Sequence, residues 1–172
     1  SICLRVEATQ APIFFLTGKT NFRNELAKRR KYKDRASNKP YHYRNIYAYI
    51  RGKYDWRLTE GLEADDLMGI EQTKALAEGR QTIICSRDKD LRQIPGWHYG
   101  WELHNQPEFG PEFVEGIGRI FLDAKGKLRG TGTLFFYSQC LTGDSVDSVP
   151  GLQGFGPKKT YELLKDTEAE EA

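Results

Sequence analysis

Cysteine is scarce in this chain. The three present among 172 residues, Cys3, Cys85 and Cys140, are odd in number and far apart. Their spacing excludes a disulfide framework and a cysteine-based zinc site, and points to a reducing compartment. Long apolar runs are also missing: none approaches the ~20 residues needed to span a bilayer, so no membrane role is expected. No secretory leader pattern is present. Neither sign of charge dominates, with 26 Lys and Arg against 24 Asp and Glu and a net charge of +2. A composition of 38% hydrophobic and 29% charged residues excludes a disordered chain and suits a soluble globular one. There is no internal repeat and no low-complexity linker. The first residue is Ser1 rather than Met, which reads as the start of a fragment or a processed product.

The near-neutral total conceals local extremes. Seven carboxylates fall in three short clusters: Glu63, Asp65 and Asp66; Asp88 and Asp90; Asp144 and Asp147. Each cluster sits beside an apolar stretch that can anchor it. Acids brought together repel one another unless a cation lies between them. Hard divalent ions such as Mg²⁺ take oxygen ligands and keep several waters, which suits scattered carboxylates. The pattern therefore points to a metal-dependent hydrolase acting on a phosphate group. Between Arg23 and Arg35 lie seven basic residues against two acids, Glu25 and Asp34. Tyr32, Tyr41, Tyr43, Tyr47, Tyr49 and Tyr54 accompany or follow them. Cations hold a phosphate backbone and aromatics stack on bases, so this stripe points to nucleic acid.

Element signals alternate between strand and helix. Residues 12–16 are a short apolar run of strand length, 81–85 read as a buried strand, and 97–103 and 118–122 as further strands. Residues 22–31, 41–51, 61–77 and 131–141 read as helical, with Leu67, Ile70 and Leu76 as core candidates of the third. Residues 123–127 (DAKGK) mark a hairpin turn. Such alternation predicts an α/β fold with a twisted, mainly parallel sheet flanked by helices. Asp88 and Asp90 follow the strand QTIIC, where ligands bind in open α/β sheets. If that segment is extended, alternation puts both on one side. Glu63 and Asp66 share a face if their turn is already helical. Gly18-Lys19-Thr20 resembles the end of a P-loop, but the pattern needs glycine five residues earlier, where Ile13 stands.

The run 141–164 (LTGDSVDSVPGLQGFGPKKTYELL) is more specific. Gly151, Gly154 and Gly156 let backbone N–H groups approach a phosphate closely. Pro157 fits the first turn of a following helix, and Lys158 and Lys159 add charge where a helix start attracts anions. The arrangement reads as a helix–hairpin–helix-type module that grips duplex without reading bases.

The segments NFRNELAKRRKYKDR, EADDLMG, ICSRDKDLRQIP and LTGDSVDSVPGLQGFGPKKTYELL together resemble the 5′→3′ exonuclease and flap-endonuclease family, especially its bacteriophage members. The resemblance covers nearly the whole chain. It implies a divalent-metal nuclease acting on 5′ ends and branched DNA, with two Mg²⁺ (or Mn²⁺) ions held by Glu63, Asp65, Asp66, Asp88, Asp90, Asp144 and Asp147. It implies a helical arch at about 23–40 within a nuclease core of residues 1–130. There Lys33 acts on the scissile phosphate, Arg23 is a second catalytic cation, and Tyr32 and Arg35 contact DNA. Residues 131–172 are then the DNA-gripping region, with K⁺ as an accompanying cation. The expected protein is a cytoplasmic monomer, in the host cytoplasm if phage-encoded.

Two departures qualify the resemblance. The family opens with a strand bearing a metal-binding Asp, and this chain starts downstream of it. A second Asp follows the family's next strand, and Gly18 stands at that place. A weakened or inactive structure-specific DNA-binding member is therefore the alternative reading, and a ribonuclease on a related acidic α/β domain is a third.

Overall fold

The computed structural model describes residues 1–28, residue 32 and residues 39–167. Contacts divide the chain into two units, Ser1–Ile70 and Glu71–Ala172. The expected helix at 22–31 is present as α2 (Arg23–Leu26), and residues 29–31 lie outside the described residues.

In the first unit a single turn, α1 (Ile2–Arg5), precedes β1 (Ile13–Leu16). The run IFFL favours extended chain because aromatic and β-branched side chains fit a pleated surface. β1 pairs in parallel with β2 (Asp55–Leu58), from Ile13 opposite Asp55 to Leu16 opposite Leu58. A parallel pair needs a crossover, and α2 and α3 (Tyr43–Lys53) supply it. Tyr54, at the end of α3, packs on Phe14 with ring centroids 4.9 Å apart, and Arg51 lies 4.3 Å over Trp56. The strand β2 has no strong sequence signal, since Asp55 and Arg57 interrupt it. Among the described residues of this unit no hydrophobic side chain is fully buried.

The unit division falls inside α4 (Ala64–Ala77). The expected helix is there, but two of its three core candidates are not core: Ile70 is 51% exposed and Leu76 44%. The buried row is Gly69, Gln72 and Ala75, three residues apart. Small side chains permit close approach along that row. Gln72 is tolerated because its amide donates to the carbonyls of Pro95 (3.2 Å) and Trp97 (3.3 Å).

The second unit holds the apolar core: Ala75, Ile84, Leu91, Tyr99, Val114, Leu134 and Phe135. β3 (Ile83–Cys85) pairs in parallel with β4 (Gly96–Gly100), which pairs antiparallel with β5 (Phe109–Val114). A hairpin of β6 (Arg119–Leu122) and β7 (Leu128–Thr131) follows. Its turn is closed by Asp123, whose carboxylate accepts the N–H groups of Lys125 and Lys127, each at 2.9 Å. Next come α5 (Gly132–Thr142), the two-residue strands β8 (Gly143–Asp144) and β9 (Val149–Pro150), and α6 (Pro157–Leu164). The α/β class expected from sequence is therefore present, but the described strands form four small sheets with two parallel and three antiparallel pairings. Short connections such as 101–108 turn the chain straight back, which forces antiparallel pairing. No helix among the described residues is long and apolar enough to cross a membrane. The three cysteines are free.

His98 in β4 is 1% exposed, and its Nε2 lies 2.7 Å from the Ile94 carbonyl. Burial pushes its pKa below the ordinary 6.5. Unfolding therefore takes up a proton as pH falls through about 6.5. The stability it contributes is complete above that value and lost toward the lower folded pKa. The urea midpoint is expected to drop between pH 7.5 and 5.5, and to drop less in His98→Gln.

Candidate functional site

In the first unit the candidate residues gather at the start of α4. Glu63 lies just before the helix and is 9% exposed; Asp65 and Asp66 occupy its first turn. The helix start carries partial positive charge and favours these anions. Asp66 accepts the Glu63 N–H at 2.9 Å, the reciprocal half of a capping box. Both Asp66 oxygens also take the Arg23 guanidinium, at 2.6 Å each. Arg23 Nη1 lies 3.8 Å from Glu63 Oε2, and the Tyr32 hydroxyl donates to the same Glu63 oxygen at 2.8 Å. The hydrogen bond to Asp66 holds the Arg23 proton more tightly than usual, against burial. Arg23, Tyr32, Glu63 and Asp66 thus form one hydrogen-bonded group. Lys33 and Arg35 lie outside the described residues.

The loop before α2 shows why Gly18 stands where it does. The Ala64 N–H, at the start of α4, is held by the Thr17 hydroxyl at 3.1 Å, and the Gly61 N–H by the Thr20 hydroxyl at 2.8 Å. The Gly18-Lys19-Thr20 segment therefore caps its own chain's turn. A Cβ at Gly18 would meet the Thr59 carbonyl oxygen at 1.9 Å. The carboxylate expected there from the family has no room in this backbone.

In the second unit, Asp88 and Asp90 do not alternate along an extended segment. Lys89 is helical, and a 3-10 turn runs over Asp90–Gln93. Asp88 is exposed, and its carboxylate accepts the Asp90 N–H at 2.9 Å, so it shapes the turn. The extended conformation on which that alternation depended is absent: the Asx-type turn competes with extension and wins. Asp90 is held from α5, where Gln139 Nε2 donates to its Oδ1 at 2.8 Å, and Gln139 is in turn bonded to Gln93. Asp144 accepts the Val146 N–H at 2.7 Å. Asp147, half-buried, lies in the same turn.

Lys89 joins the two clusters. Its Nζ lies 2.7 Å from Asp90 Oδ1 and 2.7 Å from Asp144 Oδ2. Burial works against the charge of Asp144, yet Lys89 and the N–H groups of Val146 and Asp147 hold its pKa below the usual carboxylate range. Burial likewise opposes the Lys89 charge, and the two carboxylates overcome it, so its pKa is raised. Sequence reasoning missed Lys89, although a lysine flanked by two acids was a visible signal. Gln139 and Gln93 carried no signal at all.

The glycines of the third motif divide by role. Gly151 packs against the end of α5, where a Cβ would meet the Thr142 carbonyl at 2.4 Å. Its backbone is exposed, but there is no room for a side chain on it. Gly154, at φ +83°, and Gly156 have open space around them. Gly156 is the N-cap of α6, with Pro157 in the first turn and Lys158 and Lys159 exposed beside it. Lys159 lies 4.2 Å over the Phe155 ring.

Among the described residues no three Asp, Glu, His or Cys side chains are gathered into a ready metal cage. The donor chemistry nonetheless fits a hard divalent ion. In each unit half-buried carboxylate oxygens converge on one cationic side chain, Arg23 or Lys89, in the way they would on a metal.

No protein-family model matches the chain. It is 31% identical over 122 residues to flap endonuclease Xni of Shewanella piezotolerans, covering 70% of this chain and 44% of that protein. It is 30% identical over 166 residues to DNA polymerase I of Streptococcus pneumoniae, covering 93% of this chain and 18% of that one. The chain thus spans less than half the length of these relatives. Among solved structures it matches T5 5′-exonuclease with bound divalent metal ions (zinc), at a TM-score of 0.63 and 17% identity, over 94% of this chain and 62% of that one. A variant of the same exonuclease matches at a TM-score of 0.66 and 14% identity, over 94% and 60%. These two likenesses establish a shared mixed α/β fold.

Proposed function

We propose, from the premise that this chain belongs to the 5′→3′ exonuclease and flap-endonuclease family, that it hydrolyses phosphodiester bonds near the 5′ ends of DNA with divalent-metal help. The observation that carries this reading is the pairing of carboxylates on one tethered cation in each unit: Glu63 and Asp66 on Arg23, Asp90 and Asp144 on Lys89. Glu63, Asp65, Asp66, Asp88, Asp90, Asp144 and Asp147 would hold Mg²⁺ or Mn²⁺, two ions in all. When bound, such ions polarise the phosphodiester and lower the pKa of a coordinated water.

The chain's own residues supply the rest. Lys33 and Arg23 add positive charge where negative charge accumulates on the phosphate. Both fork nitrogens of Arg23 lie on Asp66, so its phosphate contact would share or replace those bonds. Tyr32 stacks an unpaired base beside the cut and Arg35 holds backbone phosphate. Residues 131–172 grip duplex: the open backbone at Gly154 and Gly156, the turn closed by Gly151, and Lys158 and Lys159 suit an anionic strand at the start of α6. K⁺ accompanies this region, and the protein works as a cytoplasmic monomer.

The test is cleavage of a 5′-flapped duplex with Mg²⁺, with Mn²⁺ and with chelator, alongside an RNA of the same sequence. Metal-dependent cutting of the DNA is expected. The crowding of Gly18 against Thr59 favours a second reading, a weakened, structure-specific DNA-binding member. Salt-sensitive binding of the flap with no cutting in either metal would establish that second reading instead.

A further inference from the structure

The residue between the two acids of the DKD segment has a use that the nuclease reading does not assign. The Lys89 side chain is 40% exposed, yet its ammonium is turned onto two acids. Its ammonium bridges Asp90 Oδ1 and Asp144 Oδ2 at 2.7 Å each, and these carboxylates come from positions 54 residues apart in the chain. Both carboxylates are fixed independently of it. Gln139 donates to Asp90, and the Val146 N–H donates to Asp144. Removing the lysine therefore leaves two oriented oxygens facing each other without a cation.

We propose that Lys89 is an internal counter-ion that occupies the Asp90–Asp144 pair in the metal-free protein and must leave it when a divalent ion binds. Metal uptake at this pair is then an exchange of one cation for another. The lysine keeps the two acids together before metal arrives and weakens the apparent affinity for it. This makes Lys89 a positioning residue. The inference rests on the reading of Asp90 and Asp144 as metal ligands.

The experiment is Mn²⁺ binding by isothermal titration calorimetry to the full chain, comparing the unaltered protein with Lys89→Met and Lys89→Arg. Thermal unfolding in chelator and with Mn²⁺ runs beside it. Lys89→Met is expected to bind Mn²⁺ about fivefold more tightly, the scale of losing one competing, partly exposed ion-pair group. It is also expected to melt lower in chelator and to gain more from Mn²⁺, while Lys89→Arg behaves like the unaltered chain. A lysine with only a structural role, once removed, leaves metal affinity unchanged or lowers it. Equal or weaker Mn²⁺ binding by a folded Lys89→Met protein overturns the exchange and leaves the metal reading standing. If neither protein binds Mn²⁺, both fall. Should Lys89→Met fail to fold, Lys89→Gln, which keeps a donor to one carboxylate, is held to the same tighter binding.

Discussion

Asp144→Asn is expected to slow Mg²⁺-dependent cleavage of a 5′-flapped duplex by about a thousandfold, with the fold intact. A metal ion contributes several kcal/mol of charge stabilisation to phosphoryl hydrolysis, and each ~1.4 kcal/mol is a factor of ten in rate. Asparagine keeps an oxygen for the Val146 N–H that now binds Asp144 at 2.7 Å, so the turn between β8 and β9 is retained. What is lost is the negative charge. The loss belongs to the chemistry if single-turnover rates fall while flap binding in chelator does not weaken. A rate within a factor of three of the unaltered protein would remove Asp144 from the metal set.

The second large effect concerns a residue that is missing. Gly18→Asp supplies the carboxylate that the family resemblance places there, yet it is expected to damage the protein rather than repair it. The new Cβ would lie 1.9 Å from the Thr59 carbonyl oxygen. That oxygen belongs to the backbone just after β2, and the Thr59 N–H is bonded to the Leu16 carbonyl at 3.0 Å. Relief therefore requires the ends of β1 and β2 to separate. Overpacking of this kind costs about 1–3 kcal/mol, and a chain of this size loses about 6–12 °C of Tm at the upper end of that range. Cleavage is expected to stay level or fall. An unchanged Tm would contradict the close approach of Gly18 to Thr59, and faster cleavage would show that position 18 completes the ligand set.

The two substitutions separate two ideas that a family resemblance merges. One is that acids at matching positions carry matching chemistry. The other is that every family position is open to its family residue. The Asp144 turn is built around its carboxylate. The backbone at Gly18 is built around the absence of any side chain.

Much of the framework was readable from residue order. The apolar runs near residues 13 and 83 became β1 and β3, the segment after Gly61 became α4, and Asp123 closed the hairpin its turn residues announced. Local propensity and turn chemistry decide such elements within a few residues of themselves. The core faces were less legible. Ile70 and Leu76 are apolar and lie within the helix, yet the buried row is Gly69, Gln72 and Ala75 instead. That choice depends on the surface opposite, which no periodicity records.

The sequence by itself determined which carboxylates are available, where the cationic stripe lies, and that the segment after Asp147 must turn sharply into a short helix. These follow from charge, spacing and the conformational limits of glycine and proline. Only tertiary structure decided what each acid touches. Asp66 is committed to Arg23, Asp88 to its own turn, and Asp90 and Asp144 to Lys89. The reason is physical: a half-buried carboxylate takes the nearest donor the fold delivers, and residues far apart in sequence become nearest only when the chain has closed on itself.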